Sequence, residues 1–201
     1  RSEREQHVQF FQQHPTFFAD LLSRFHPLQP DMIERYTDRW NWEFGLSLNK
    51  ALPWPEALID RYADRWHWGN LSNSKNKALP WSEALIERYA DRWDWRGFGL
   101  GMNGALPWSE ALIDRYADRW DWEELSSREA LPWSEALLER YADRWDWGWL
   151  SENEALPWSA ALIDRYADRW RWDGYYGLSG NEDVYDSLAP HITPAVIRRV
   201  F

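Results

Sequence analysis

The chain has 201 residues, 44% of them hydrophobic and 28% charged, enough for a sizeable core in a folded soluble protein. Its formal net charge of −10 argues against a nucleic-acid backbone or an anionic membrane as partner, since both require a basic surface, and leaves a basic protein partner open. The lack of cysteine excludes a disulfide framework, a thiol nucleophile and a thiolate metal site, and suits a reducing, cytoplasmic setting.

No apolar run approaches the roughly 20 residues of a membrane span, and no signal peptide is visible. The first residue is Arg1 rather than Met, which points to a fragment, a processed product or a trimmed chain, with any upstream domain out of view.

Residues 3–13 are expected to form a helix with Val8, Phe10 and Phe11 on its apolar side. Pro15-Thr16 interrupts it. Residues 17–25 read as a second helix, with Thr16 as N-cap and Phe17, Phe18, Leu21, Leu22 and Phe25 along one side. Residues 1–25 look unlike the rest of the chain and are expected to cap a repeat array or to join a further domain.

Residues 26–42 are a degenerate first copy of a unit that dominates the chain. Its clearest form is Leu131-Pro-Trp-Ser-Glu-Ala-Leu-Leu-Glu-Arg-Tyr-Ala-Asp-Arg-Trp-Asp-Trp147, which recurs from Leu52, Leu79, Leu106 and Leu156. The Asp-Arg-Trp tryptophans form the series Trp40, Trp66, Trp93, Trp120, Trp145 and Trp170, with spacings of 26, 27, 27, 25 and 25. From the Pro of Leu-Pro-Trp to that Trp the distance is always 13, whereas from the Trp to the next Pro it runs 13, 14, 14, 12 and 12. An insertion in a packed helix rotates everything after it by about 100°. The constant stretch is therefore expected to hold the packed helix and the variable stretch the loop.

In the copy at Leu79, Ser82 is expected to cap a helix of roughly 11 residues whose apolar face carries Leu85, Ile86, Tyr89 and Trp93. Pro55 replaces that serine in one copy and blurs the start by one residue. After each helix comes Trp-x-Trp and then Leu, as in Trp120-Asp-Trp-Glu-Glu-Leu125, which reads as a short second helix capped by Asp121. Residues 43–174 hold the tandem repeats, and residues 175–201 form a second, unlike cap in which Thr193 and Pro194 open a last helix. The expected fold is all-α: a short α-solenoid of about 25–27-residue helix–turn–short-helix repeats between non-identical caps.

Trp147, Leu150-Ser151, Asn153 and Leu156-Pro-Trp-Ser159 make the chain resemble the tandem Trp-rich repeats of many bacterial and giant-virus proteins, over about residues 26–190. That class has no agreed activity, so the resemblance implies the repeat architecture and no catalytic residue.

Seventeen of the 18 tryptophans lie at three fixed repeat positions and are expected in the core, Trp66, Trp93, Trp120, Trp145 and Trp170 among them. Aromatics in the variable segments, Phe44, Phe98, Trp149, Tyr175 and Tyr176, are the candidate ligand-contacting residues, suited to stacking on sugars. Asp and Arg recur before each Asp-Arg-Trp tryptophan, as in Asp118-Arg119. The expectation is structural: the carboxylate accepts from an indole, a neighbouring Arg or the next turn, and the Arg stacks on a Trp of an adjacent unit.

The five histidines show no zinc-ligand spacing. Gly97-Phe-Gly-Leu-Gly101 lacks the following Lys-Ser/Thr of a phosphate loop and reads as an insertion. No catalytic residue, metal site or cofactor is expected. The leading expectation is a non-enzymatic scaffold or protein-interaction module for a basic partner. A glycan-binding module and an acidic inhibitor or immunity-type protein are the alternatives.

Overall fold

The structure is a computed structural model that describes residues 1–73 and 75–201. It forms two compact units, Arg1–Pro107 and Trp108–Phe201. Among the described residues both are built from α-helices and 3₁₀ turns, and within each unit consecutive repeats stack as in an α-solenoid.

The first unit opens with α1 (Glu3–Gln13), where Ser2 and Glu5 form a reciprocal capping box. Helix α2 (Pro15–Phe25) starts earlier than expected. Pro15 takes the first helical position, where its missing N–H is not needed, and His14 rather than Thr16 precedes it. The repeat helices follow as α3 (Pro30–Arg35), α4 (Glu56–Arg61) and α6 (Glu83–Arg88), with the short α5 (Trp68–Ser72) between the last two. The second unit holds repeat helices α7 (Glu110–Arg115), α9 (Glu135–Arg140) and α11 (Ala160–Arg165), with short α8 (Trp122–Ser126) and α10 (Trp147–Glu152) between them. It ends in α12 (Glu182–Leu188) and α13 (Pro194–Val200).

Each repeat helix has six residues, not the roughly 11 expected. The tyrosine ends it: Tyr89, at φ −119° and ψ 28°, has left the helical region. A tight turn then brings Arg92 N and Trp93 N to Tyr89 O, at 2.8 and 3.1 Å. The Trp93 indole swings back and donates to Ile86 O at 3.1 Å, a carbonyl that the helix end leaves without an intrahelical partner. Trp93 thus shares a face with Leu85 and Ile86 although it stands beyond the helix. Asp91 is outside the last helical turn, so its charge does not oppose the helix dipole there.

Ser82 Oγ accepts from Leu85 N at 3.0 Å, the expected cap, and α4 keeps the same starting register with Pro55 in the serine's place. The core of each full copy is its Leu-Ile or Leu-Leu pair, fully buried at Leu85 and Ile86 and at Leu137 and Leu138, together with the buried leucine of Leu-Pro-Trp; in the first copy Ile33 is buried and Met32 is exposed.

The short element depends on the count between Trp and Leu. With two residues between, as in Trp68, Trp122 and Trp147, Trp and Leu share a helical face and a short α-helix forms. With more, the helix gives way to a 3₁₀ turn at Leu46–Leu48, Leu100–Met102 or Leu178–Gly180. The longer path needs glycine. Gly97 sits at φ +59°, and a Cβ on Gly99 would lie 2.2 Å from Asp94 O.

Leu-Ser-x-Asn cross-links neighbouring copies. Ser72 Oγ donates to Trp68 O at 2.6 Å and accepts from Asp94 N of the next copy at 2.9 Å; Ser126 does the same for Asp146 N. Buried Asn153 donates to Ser126 O and Arg128 O of the preceding copy and accepts from Ala155 N. Helix α2 joins this scheme, so residues 1–25, expected to cap the array, carry the serine link of the repeat at their end. Ser23 Oγ donates to Ala19 O and accepts from Asn41 N, and Asn49 reaches back to Ser23 O at 2.8 Å. The last turns of α2 therefore stand where a short helix stands in the inner copies. At the other end, α12 was not legible in the sequence. Asn181 caps it, and Val184 takes the place that Leu156 holds three residues after Asn153.

Candidate functional site

With Trp145 as the exception, the repeat tryptophans are satisfied through their indole N–H groups. The Asp-Arg-Trp indole donates to the carbonyl seven residues back, Ile59 O for Trp66, Ile113 O for Trp120 and Ile163 O for Trp170. The second Trp donates five back, as Trp68 to Ala63 O and Trp147 to Ala142 O. Trp66, Trp93, Trp120, Trp145 and Trp170 are all buried. Trp145 differs: its Nε1 is buried with no partner, and the residue seven back is Leu138 where the others carry Ile. The rings interlock between copies. Trp122 lies 4.5 Å from Tyr141 and 4.8 Å from Trp145, centroid to centroid.

Two polar ladders run beside the rings. In the first, Arg144 donates to Asp118 Oδ1 (2.8 Å) and Ala117 O (2.7 Å) of the preceding copy and lies 5.6 Å over the Trp122 ring. Arg169 repeats this on Asp143, Ala142 O and Trp147, and Arg92 on Asp64, Ala63 O and Trp68. Arg119 belongs to the same series, its N–H donating to Tyr116 O at 2.8 Å. The indoles use backbone carbonyls, so the aspartates serve the arginines. The Asp118 side chain is 89% exposed. We expect Asp118→Asn to cost less than about 1 kcal/mol in urea unfolding, as exposed pairs do. Arg144→Ala loses a carbonyl bond and a ring contact as well and should cost more, about 1–2 kcal/mol. Equal losses would contradict this division.

In the second ladder the helix acid of one copy meets the next copy's Arg-Tyr. Asp60 accepts from Arg88 and from the Tyr89 hydroxyl, and Asp114 from Arg140 and Tyr141. Where the acid is glutamate, as at Glu34, it reaches Arg61, and the Tyr62 hydroxyl is buried without a partner. The choice between Asp and Glu at this position therefore matters. Burial first, and then the carboxylate acceptor, push Tyr89 and Tyr141 up to about 12. The tyrosine bond, and after it the arginine, hold Asp60 and Asp114 below the usual carboxylate range.

These shifts set the sign at both pH extremes. The tyrosine contribution is complete below the unfolded value of about 10 and is lost as pH rises toward the folded one. The aspartate contribution is present above the unfolded carboxylate value and is lost as pH falls through the lower folded one. The melting temperature should fall between pH 10 and 12, and Tyr89→Phe with Tyr141→Phe should flatten that fall. A fall of undiminished steepness in the double variant would place its origin elsewhere.

The candidate aromatics are all exposed, Phe44 and Phe98 in the first unit and Trp149, Tyr175 and Tyr176 in the second, but Trp149 lies in α10 rather than in a loop, because two residues separate Trp147 from Leu150 and Asp146 caps the short helix. Two of them meet. Trp149 and Tyr176 line a concavity of about 370 Å³ together with Asp146, Glu152 and Arg171. Tyr175 stands edge-on to Tyr176 at 5.1 Å and does not line it. The Trp149 indole donates to Glu123 Oε1 at 3.3 Å, and Arg171 lies 3.6 Å from Glu152. Sequence reasoning missed the polar members. The signal was Arg171 itself, since the middle residue of Trp-x-Trp is otherwise Asn41, His67, Asp94, Asp121 or Asp146.

The last full copy leaves its ladder acceptors open. Asp164 and Asp168 stand where Asp114 and Asp118 receive Arg140 and Arg144, yet neither forms an ion pair among the described residues. Trp172, in the place of Trp122, is 47% exposed. Asp173, Glu182, Asp183 and Asp186 come after it, also without an ion pair, while Arg165, Arg169 and Arg171 are paired to Glu139, Asp143 and Glu152.

The first unit holds an apolar groove of about 1160 Å³ between α1, α2 and the first copy, lined by Phe11, Phe18, Leu21, Met32, Tyr36 and Trp40 among others. Among the described residues no cluster of His, Asp and Glu is arranged to hold a metal ion, and no helix is long and apolar enough to cross a membrane. No protein-family model, curated protein or solved structure matches this chain.

Proposed function

We propose that this chain is a non-enzymatic repeat scaffold that captures an arginine-bearing segment of a basic protein at the open end of its last repeat. The carrying observation is that Asp164, Asp168 and Trp172 repeat the acceptor set that holds Arg140 and Arg144 within the same unit, with no arginine supplied. A partner's guanidinium would lie over Trp172 and donate to Asp168, as Arg144 does with Trp122 and Asp118. The net charge of −10 favours its approach. The resemblance to Trp-rich repeat proteins and the cytoplasmic setting expected of a cysteine-free chain belong to this same reading.

The test is titration with an arginine-rich peptide and with a lysine peptide of equal charge, at low and at high salt. The arginine peptide should bind more tightly, because guanidinium stacks on indole and forks onto carboxylate where ammonium does neither. Added salt should weaken both. Asp168→Asn and Trp172→Ala should each weaken the arginine peptide selectively. Equal affinity for the two peptides, or no effect of either variant, refutes the proposal.

The concavity at Trp149 and Tyr176 supports a second reading, a glycan subsite with rings for stacking and Arg171, Glu152 and Asp146 for hydroxyl groups. It predicts salt-insensitive sugar binding that quenches tryptophan fluorescence and disappears in Trp149→Ala. A glycan array with no hit removes it.

A further inference from the structure

The ladders of the first unit have an open donor end. Within that unit the arginines and the tyrosine of one copy are met by acids of the copy before it. Arg88 and the Tyr89 hydroxyl donate to Asp60, and Arg92 donates to Asp64 Oδ1 at 2.8 Å and to Ala63 O at 2.7 Å. One step earlier Arg61 reaches Glu34 and Arg65 reaches Asp38. The counterparts in the first copy are Arg35, Tyr36 and Arg39. Among the described residues neither of these arginines forms an ion pair, and the Tyr36 hydroxyl forms no hydrogen bond. Helices α1 and α2 precede this copy and bring it no acceptor. Asp20, the acid they place on the groove wall, lies 3.3 Å from the Asn41 amide instead, and Asp38 on the same wall is taken by Arg65 at 2.9 Å.

The apolar face beside these groups is uncovered as well. Met32 holds the position of the fully buried Leu85 but is 43% exposed, and Tyr36 is 46% exposed. Both line the groove, together with Arg39 and Trp40. The charge around the groove also differs from that of the whole chain. Residues 1–42 carry five arginines against six acids, so nearly all of the net −10 lies elsewhere. Two of those six acids, Glu34 and Asp38, are already held by Arg61 and Arg65.

We propose that the groove binds a short acidic amphipathic helix of a partner protein, one that carries two carboxylates four residues apart beside an apolar face. The spacing is that of Asp60 and Asp64, which hold the arginines of the following copy, with Leu58 and Ile59 as the apolar pair ahead of them. In the groove the two acids meet Arg35 and Arg39, the first of them also takes the Tyr36 hydroxyl, and the apolar side covers Met32. The charge-assisted bonds fix the direction of the helix, and the groove supplies the burial. So short a helix is unstable in water, so the segment folds as it binds. The site uses neither Asp168 nor Trp172, and it stands or falls separately from capture of an arginine-bearing partner.

The test is fluorescence anisotropy of a labelled peptide copying residues 56–66, titrated with the full chain. The expected result is saturable binding that added salt weakens. Replacing both peptide aspartates by asparagine should weaken it about tenfold. In the chain, Arg39→Ala should weaken the parent peptide and leave the asparagine peptide unchanged, whereas Met32→Asp should abolish binding of both. Met32 and Arg39 are exposed, so circular dichroism should remain unchanged. The comparison of the two peptides needs no variant of the chain and decides alone if a variant fails to fold. Absence of saturation, equal affinity of the two peptides, or an Arg39→Ala chain that binds the parent peptide as before overturns the proposal. So does sedimentation of the chain alone if its mass rises above 24.2 kDa with concentration and Met32→Asp prevents the rise, which would assign the groove to a second copy.

Discussion

Replacing Trp93 by alanine is expected to destabilise the first unit by about 3–5 kcal/mol, the range for a large aromatic removed from a packed core. Trp93 is 4% exposed and touches three rings, Trp68 at 4.8 Å, Trp81 at 5.0 Å and Tyr89 at 6.3 Å. A buried indole removes about 150–250 Å² from water, worth on the order of 4–6 kcal/mol as an upper bound. The side chain also satisfies the end of α6, since its indole N–H is the donor to Ile86 O. Trp93→Phe separates the two roles. It keeps most of the ring packing, loses the hydrogen bond, and should cost about 1–2 kcal/mol. The measurement is urea unfolding followed by far-ultraviolet circular dichroism. A loss below about 1 kcal/mol for Trp93→Ala would show that the rings are not the core.

The second large effect belongs to a polar residue. Asn49→Leu nearly preserves volume and should still cost about 2–3 kcal/mol. The Asn49 amide donates to Ser23 O at 2.8 Å and His26 O at 2.9 Å, while its oxygen accepts from Ala51 N at 2.8 Å. Ser23 is fully buried, so its carbonyl has no water to replace the lost donor. Asn49→Asp sharpens the test. It keeps the acceptor for Ala51 N but turns a carboxylate toward two carbonyl oxygens, so it should be at least as damaging at neutral pH and should recover partly in acid, where a protonated carboxyl can donate. Because Asn49 ties the end of α2 to the first copy, amide hydrogen exchange should accelerate in α1 and α2 before it does in α6. Uniform acceleration would mean that the bond stabilises the unit as a whole rather than this attachment.

The repeat helix shows where one-dimensional reasoning stops. The spacing of Leu85, Ile86, Tyr89 and Trp93 fits one helical face, and all four do converge on one face. They converge by two mechanisms, a helix for the first pair and a back-folded indole for Trp93, and a projection at about 100° per residue cannot tell them apart. The Asp-Arg pair gave the reverse case. Its role as a link between copies was legible because the same two residues recur beside an aromatic that needs covering. The choice of acceptor was not, because indole and guanidinium compete for carbonyl and carboxylate and only the path of the backbone decides which is nearer. Trp149 and Tyr176 could be named singly as aromatics of the variable segments, but their meeting around Arg171 depends on α10 lying beside the segment that follows the next copy's Asp-Arg-Trp.

The amino-acid order by itself determined the all-α class, the register of the copies, the serine caps and the buried leucine, isoleucine and tryptophan positions. Each of these follows from residue type and spacing within some 13 residues, the range over which a turn, a cap or a helical face is set. Only the tertiary structure decided that the end of α2 is tied to the first copy through Ser23 and Asn49, and that Asp60 and Asp114 bind a tyrosine as well as an arginine. Those are relations across space between residues more than 20 positions apart, and the free energy that fixes them comes from surfaces that exist only after the copies have stacked.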